Sequence, residues 1–271
     1  SRGRRRARSV VLATGRCAVP VLPDTPGLDG FAGEWLHSSA YVRASSLAGR
    51  RVLVVGLGNS GAEIAADLAA QDCAPVLVAV RTPPPIVRRD LFGLVPVQRL
   101  GIALSALHAP RLADRLGALL RRVALGNLAP FGLGEAAWGA FATSRPAVID
   151  TGFVQALKQR RIVLRPALVR LDGRHAVFAD GTREQVDVVI AATGYRPGLS
   201  SYLDAPGLLD GDGRPRCRSG VPSPCAGLYF VGFDDTLRGQ LFEIRRQSLR
   251  LAAAIERELR SAAPAPVLRP P

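Results

Sequence analysis

The sequence predicts an α/β protein with a doubly wound, mostly parallel sheet. Three observations carry that expectation. Short aliphatic runs, continuous rather than alternating, recur at residues 9–13, 51–55, 76–80, 186–192 and 228–231. That is the pattern of strands buried on both faces. Helical periodicity lies between and after them, at residues 62–70 and 240–260. A glycine turn, Gly56-x-Gly58-x-x-Gly61, joins one of the strands to the first of these helices.

The elements follow in order. Residues 9–13 form a strand ending at Thr14-Gly15, and a connection containing Pro20, Pro23 and Pro26 follows. Residues 51–55, the glycine turn, a helix over 62–70 and a strand over 76–80 make a βαβ unit of about 30 residues. Residues 91–145 are apolar, punctuated by Arg and broken by Gly and Pro. They read as short helices, with 109–124 the most regular. Asp150 and Thr151 are expected to cap a helix reaching Lys158. Short strands are expected near 161–164, 168–171 and 175–179, with Asp172-Gly173 and Asp180-Gly181 as hairpin turns. The run 186–192 ends in Thr193-Gly194-Tyr195. A polar loop covers 196–226, the strand 228–231 stops at Gly232, and the helix 240–260 closes the pattern.

Composition narrows the function classes. Of 271 residues, 48% are hydrophobic and 21% charged, which supplies a core and excludes a disordered chain. No stretch of 18 apolar residues lacks a charge, so no membrane span is expected. Cys17, Cys73, Cys217 and Cys225 make no CxxC, and His37, His108 and His175 are scattered. A reduced, cytoplasmic chain without a metal site is therefore expected. The formal charge is +14, and Lys158 is the only lysine among 35 arginines. So uniform a bias points to gene composition rather than a binding patch. Arg2 to Arg8 holds five arginines with no interleaved aromatic, so a solvated terminus is expected there rather than a nucleic-acid arm.

The glycine turn carries the chemistry. Gly56 permits the tight turn, Gly58 lets a pyrophosphate approach the backbone, and Gly61 lets helix and strand pack closely. Asn59 and Ser60 lie in the same phosphate-binding turn. The free amides and positive dipole end of the helix hold phosphate charge. At the end of the next strand, where an NAD site places a carboxylate, stand Arg81 and Thr82. A guanidinium suits a 2′-phosphate, so the expected coenzyme is NADPH.

A second constellation, Phe31-x-Gly33-x-x-x-His37-x-x-x-Tyr41, precedes the turn. With Leu12-Ala13-Thr14-Gly15, Asn59-Ser60 and Ala192-Thr193-Gly194-Tyr195, it resembles the flavin-containing monooxygenases. The Baeyer–Villiger branch has Trp where Tyr41 stands. The turn itself, Phe92-Gly93 and Asp150-Thr151-Gly152 look most like the YUCCA-type branch, which oxidises indole-3-pyruvate. The resemblance implies Rossmann-type domains, with an NADPH domain (46–186) inserted in an incomplete FAD domain (1–45 and 187–271). It also implies chemistry in which FAD is reduced by NADPH, reacts with O₂ to a C4a-hydroperoxyflavin, and passes one oxygen atom to a small organic substrate. Cofactors carry that chemistry, so no acid–base triad is expected. In family terms Gly56, Gly58, Asn59, Ser60 and Gly61 hold the NADPH pyrophosphate, and Arg81 with Thr82 the 2′-phosphate end. Thr14, Gly15, Thr193 and Gly194 line the FAD junction, and His37 lies near the interdomain link.

Two departures accompany the resemblance. Gly232 is followed by Phe233, with Asp234 one place later than the Gly-Asp of related oxidoreductases. The family's first GxGxxG has no counterpart before Thr14, so the chain is expected to be the C-terminal two-thirds of such an enzyme. It is then expected to be inactive alone, and a homo-oligomer is compatible with the sequence. Three alternatives stand beside this reading. A non-catalytic NADPH-binding module fits the missing motif, a flavin disulfide reductase lacks its CxxC, and an Arg-rich nucleic-acid binder would lose affinity steeply with salt.

Overall fold

The computed structural model describes residues 7–71, 75–91, 95–105, 108–143 and 145–261. Arg2, Arg4, Arg5, Arg6, Cys73 and Phe92-Gly93 lie outside them. The chain forms two compact units, Pro20–Tyr195 and Ser1–Val19 with Arg196–Pro271. The expected divisions lay at 45–46 and 186–187. Packing draws residues 20–45 and 187–195 into the larger unit, because strands from both segments join its sheet.

In chain order the strands discussed are β1 (Val10–Leu12), β2 (Glu34–His37), β3 (Val52–Val55), β4 (Val76–Ala79), β5 (Ile86–Arg88), β6 (Val148–Asp150) and β7 (Ile162–Arg165). They continue as β8 (Leu168–Asp172), β9 (His175–Phe178), β10 (Arg183–Gln185), β11 (Val188–Ala191) and β12 (Leu228–Phe230). The helices are α1 (Asn59–Ala69), α2 (Val97–Ser105), α3 (Pro110–Leu125), α4 (Phe153–Lys158) and α5 (Gln240–Ser261).

The larger unit is built on a five-stranded parallel sheet in the order β7-β4-β3-β11-β2. Its central strands are aliphatic because both faces are covered. Val52, Val54, Val188 and Ile190 point into one core with Ile64 and Leu68 of α1 and Phe153 and Leu157 of α4. Leu53 and Val189, one residue out of phase, point into the opposite core with Leu171, Ala176 and Phe178. That second face is covered by the antiparallel meander β8-β9-β10, not by helices. The hairpin turns fall at Gly173 and Gly181, both at positive φ, as the Asp-Gly pairs predict. The run read near 161–164 is β7 and belongs to the parallel sheet; the third meander strand is β10.

The insertion between β4 and β7 holds the parallel pair β5-β6 and the helices α2, α3 and α4. Asp114 on α3 accepts from the amides of Phe141 and Ala142, both at 2.9 Å, and so caps the short helix Ala140–Thr143. Lys158 donates to the carbonyl of Leu125 at 2.7 Å, satisfying an orphan acceptor at the end of α3. Of the two expected caps for α4, Asp150 acts: its Oδ1 accepts from Gly152 and Val154 at 3.1 and 3.0 Å.

The smaller unit pairs β1 with β12 in parallel. Tyr229 of β12 is fully buried and donates to Glu258 of α5. Beyond β12, Gln247 and Gln240 take up the N–H and C=O of Gly232, at 2.9 and 2.8 Å.

Candidate nucleotide-binding site

The C-terminal ends of β3, β4 and β11 carry the site of the larger unit. Gly56 follows β3 with φ +102°, and its N–H donates to the Ala79 carbonyl at 2.9 Å. A Cβ there would meet the Ala192 carbonyl at 2.7 Å. At Gly61 a Cβ would stand 2.1 Å from the Gly56 carbonyl. Both positions therefore require glycine for contact between backbones. Gly58 differs: a Cβ would meet nothing within 4 Å. It is exposed and forms the N-cap of α1, with no side chain to satisfy the first-turn amides. The helix starts three residues before the expected 62, so Asn59, Ser60 and Gly61 form that first turn. The turn is closed where backbones pack and open where a ligand phosphate would approach.

Arg81 and Thr82 lie exposed just past β4, whose last carbonyl contacts the glycine turn. Asn59 does not point its carbonyl at the turn: Oδ1 accepts from the Ile149 amide of β6 at 2.8 Å.

Thr193 and Gly194 follow β11. Thr193 Oγ1 donates to the Val21 carbonyl, and Val21 N donates to the Gly194 carbonyl at 3.0 Å. His37 is buried at the end of β2 and meets Tyr195 edge-on, with ring centroids 4.8 Å apart. Its Nε2 lies 3.1 Å from the Gly194 carbonyl, an acceptor only, so Nε2 carries the proton. Nδ1 then accepts from the Ser39 amide at 3.1 Å. His37 thus fastens the residue pair at which the chain leaves the larger unit. Tyr41 donates to Asp67 Oδ2 of α1 at 2.5 Å. Burial and the carboxylate hold this phenol well above its usual range.

The structure therefore brings Gly56, Gly58, Asn59, Ser60, Gly61, Arg81, Thr82, His37, Thr193 and Gly194 into one unit. Thr14 and Gly15 belong to the other unit, where Thr14 Oγ1 and the Tyr202 hydroxyl lie 2.7 Å apart. In the same unit the Asp234 carboxylate accepts from the Ser219 amide, at 3.1 Å for the nearer oxygen, and from Gln247 at 3.3 Å. Sequence reasoning missed β2, Ser39 and Ile149. A four-residue strand containing Trp and His gives little periodic signal, and hydrogen-bond partners distant in sequence leave none.

A cleft of about 760 Å³ opens between α3 and residues 127–141, over Pro84 to Val87. Trp138 and Phe141 line it with Arg115, Arg121 and Glu135. Burial lowers the affinity of Arg121 for its proton, and the Glu135 charge opposes that effect. Among the described residues no cluster of metal-ligating side chains exists. No described helix is long and apolar enough to cross a membrane.

Sheet order, glycine turn and uncapped helix define a Rossmann-type α/β protein. The family is more particular: a profile described as flavin-binding monooxygenase-like matches residues 6–205, and the chain belongs to that family. Indole-3-pyruvate monooxygenase YUCCA1 of Oryza sativa subsp. japonica is 38% identical over 247 residues, 87% of this chain and 58% of the relative. Probable indole-3-pyruvate monooxygenase YUCCA4 of Arabidopsis thaliana is 35% identical over 241 residues, 85% of this chain and 56% of the relative. The chain thus spans less than two thirds of the length of these relatives. Flavin-containing monooxygenase from Stenotrophomonas maltophilia superposes with a TM-score of 0.58 at 23% identity, over 91% of this chain and 63% of that one. Cyclohexanone monooxygenase from Rhodococcus sp. Phi1, solved bound to NADP⁺, gives 0.61 at 17%, over 92% and 61%. At these identities the structural likeness is one of fold.

Proposed function

We propose that this chain carries the NADPH site, and part of the FAD site, of a monooxygenase that places one oxygen atom from O₂ on a small organic substrate. The observation that carries the reading is the open cradle at Gly58, beside uncapped amides and within reach of the strand that ends before Arg81. The residues present fit a dinucleotide diphosphate there. The amides of the α1 first turn would receive the pyrophosphate, and Arg81 with Thr82 its 2′-phosphate end. Bound together, FAD and NADPH would supply the reducing and oxygen-activating chemistry. The protein's part is to bind, orient and exclude water. Residues 46–186 supply the coenzyme part of this reading, and each unit taken by itself carries a segment that the family resemblance assigns to the flavin side, Thr193-Gly194 in the larger and Thr14-Gly15 in the smaller. Family membership supports oxidation at N, at S, or of a ketone or 2-oxo acid, and the curated relatives named for indole-3-pyruvate favour the last.

Coenzyme preference tests the reading. A charge-assisted contact contributes about 1.5–3 kcal/mol, or roughly 10- to 150-fold. Arg81→Ala should weaken NADPH by such a factor and leave NADH nearly unchanged, measured as dissociation constants. Equal weakening of both coenzymes, or of neither, would remove Arg81 from the site.

A further inference from the structure

We propose that Asn59 is a positioning residue, tethering the glycine turn to β6 so that the first-turn amides of α1 stay fixed and available for a phosphate. The inference rests on the coenzyme reading above.

Asparagine near a helix start ordinarily turns its carbonyl onto the helix's own amides. At Asn59 that oxygen goes elsewhere. Its partner is a backbone N–H, so the atom 2.8 Å from Ile149 N is Oδ1 and not the amide nitrogen. Ile149 can spare its N–H. In a parallel pair alternate residues bond to the same neighbour. Here Val148 N donates to the Pro85 carbonyl at 2.9 Å, which leaves Ile149 facing the other way, towards α1. The next residue, Asp150, caps α4. One three-residue strand therefore holds the starts of two helices, by an amide to Asn59 and a carboxylate to α4.

The consequence is for binding. Gly58 has no side chain to occupy the amides, and Asn59 directs its carbonyl away from them. A turn with no internal cap would fray without another anchor. The tether provides that anchor at no expense in donors, so less ordering remains when a ligand arrives. Asn59 would thus act through the backbone, and not by touching the coenzyme with its carbonyl.

Cutting the same hydrogen bond from either end tests this. Asn59→Ala removes the acceptor. Ile149→Pro removes the donor without removing a bond of the β5-β6 ladder, at a side chain that is 36% exposed. NADP⁺ affinity should fall about 2- to 12-fold in each variant, the worth of one net hydrogen bond, and no further in the double variant. If Asn59→Ala weakens binding and folded Ile149→Pro does not, the side chain touches the coenzyme directly and the tether is wrong. Unchanged affinity in both would also overturn it. Amide exchange provides a readout that needs no proline. Asn59→Ala should speed exchange at Ile149 while leaving core amides such as Val54 and Ile190 protected. Unaltered exchange at Ile149 would overturn the tether as well. If the wild-type chain binds no NADP⁺, the coenzyme reading itself fails, and the exchange result still decides whether the tether exists.

Discussion

The Asp187 side chain accepts four hydrogen bonds, and it sits at the end of the sheet away from the glycine turn. Its oxygens accept from Arg51 Nε at 2.9 Å, from an Arg51 guanidinium nitrogen at 2.7 Å, from the Arg51 amide at 3.0 Å and from Arg174 at 3.1 Å. These bonds hold the carboxyl well below the usual carboxylate range, with the Arg51 side chain the largest cause. In the unfolded chain an aspartate titrates at about 3.9. The folded carboxylate stays ionised below that. Its stabilisation is complete above the unfolded value and is lost as pH falls through the folded one. Asp187→Asn should therefore lower the Tm at neutral pH by about 2–4 °C and flatten the acid side of the stability curve. Thermal melts from pH 7 down to about 2, into the range where that stabilisation is lost, check this. An unchanged acid limb would mean that the node is not coupled to folding. None of this was legible in the sequence: Asp187 stands beside a buried strand, and nothing local points to Arg51, 136 residues earlier.

At the scale of elements, the βαβ unit from β3 to β4 was legible to within one residue at its strands and at the end of its helix, and to within three at the helix start. Its strands are continuous aliphatic runs, and its glycines have single uses. β2 and the β5-β6 pair were not legible, because strands of three or four residues carry too little pattern to separate from loop. The meander was read as hairpins from its Asp-Gly turns, but its place over the sheet face was not, since nothing local distinguishes a covering strand from a covering helix. Contact between α1 and β3 makes a sharp prediction. Gly61→Ala forces a Cβ to 2.1 Å from the Gly56 carbonyl. Backbone cannot yield as a side chain can, so the variant should lose about 1–3 kcal/mol or more. Urea unfolding checks it, and a wild-type midpoint would show that helix and strand are not so close.

For the whole molecule, the family could be read from an ordered set of motifs, each placed where the fold needs it. The extents of the two units could not, because a strand joins a sheet through backbone partners that the sequence does not name. Under the proposed reading the one GxGxxG of this sequence, Gly56 to Gly61, serves NADPH, and no second such turn is given over to FAD. Purified alone, the chain should therefore be colourless and show no NADPH-dependent oxygen uptake. Absorbance near the flavin bands together with an oxygen electrode checks this, and stoichiometric bound FAD would show that the remaining flavin side suffices. Coenzyme binding depends above all on the cradle at Gly58, and a calorimetric titration of NADP⁺ into the wild-type chain and Gly58→Ala tests that dependence most directly. The added methyl meets nothing in the protein, so folding should be kept, at a cost under about 1 kcal/mol. It would project into the space assigned to the pyrophosphate. Saturable binding to the wild type and none to a folded Gly58→Ala is the expected result. Equal affinity in the two proteins would contradict it.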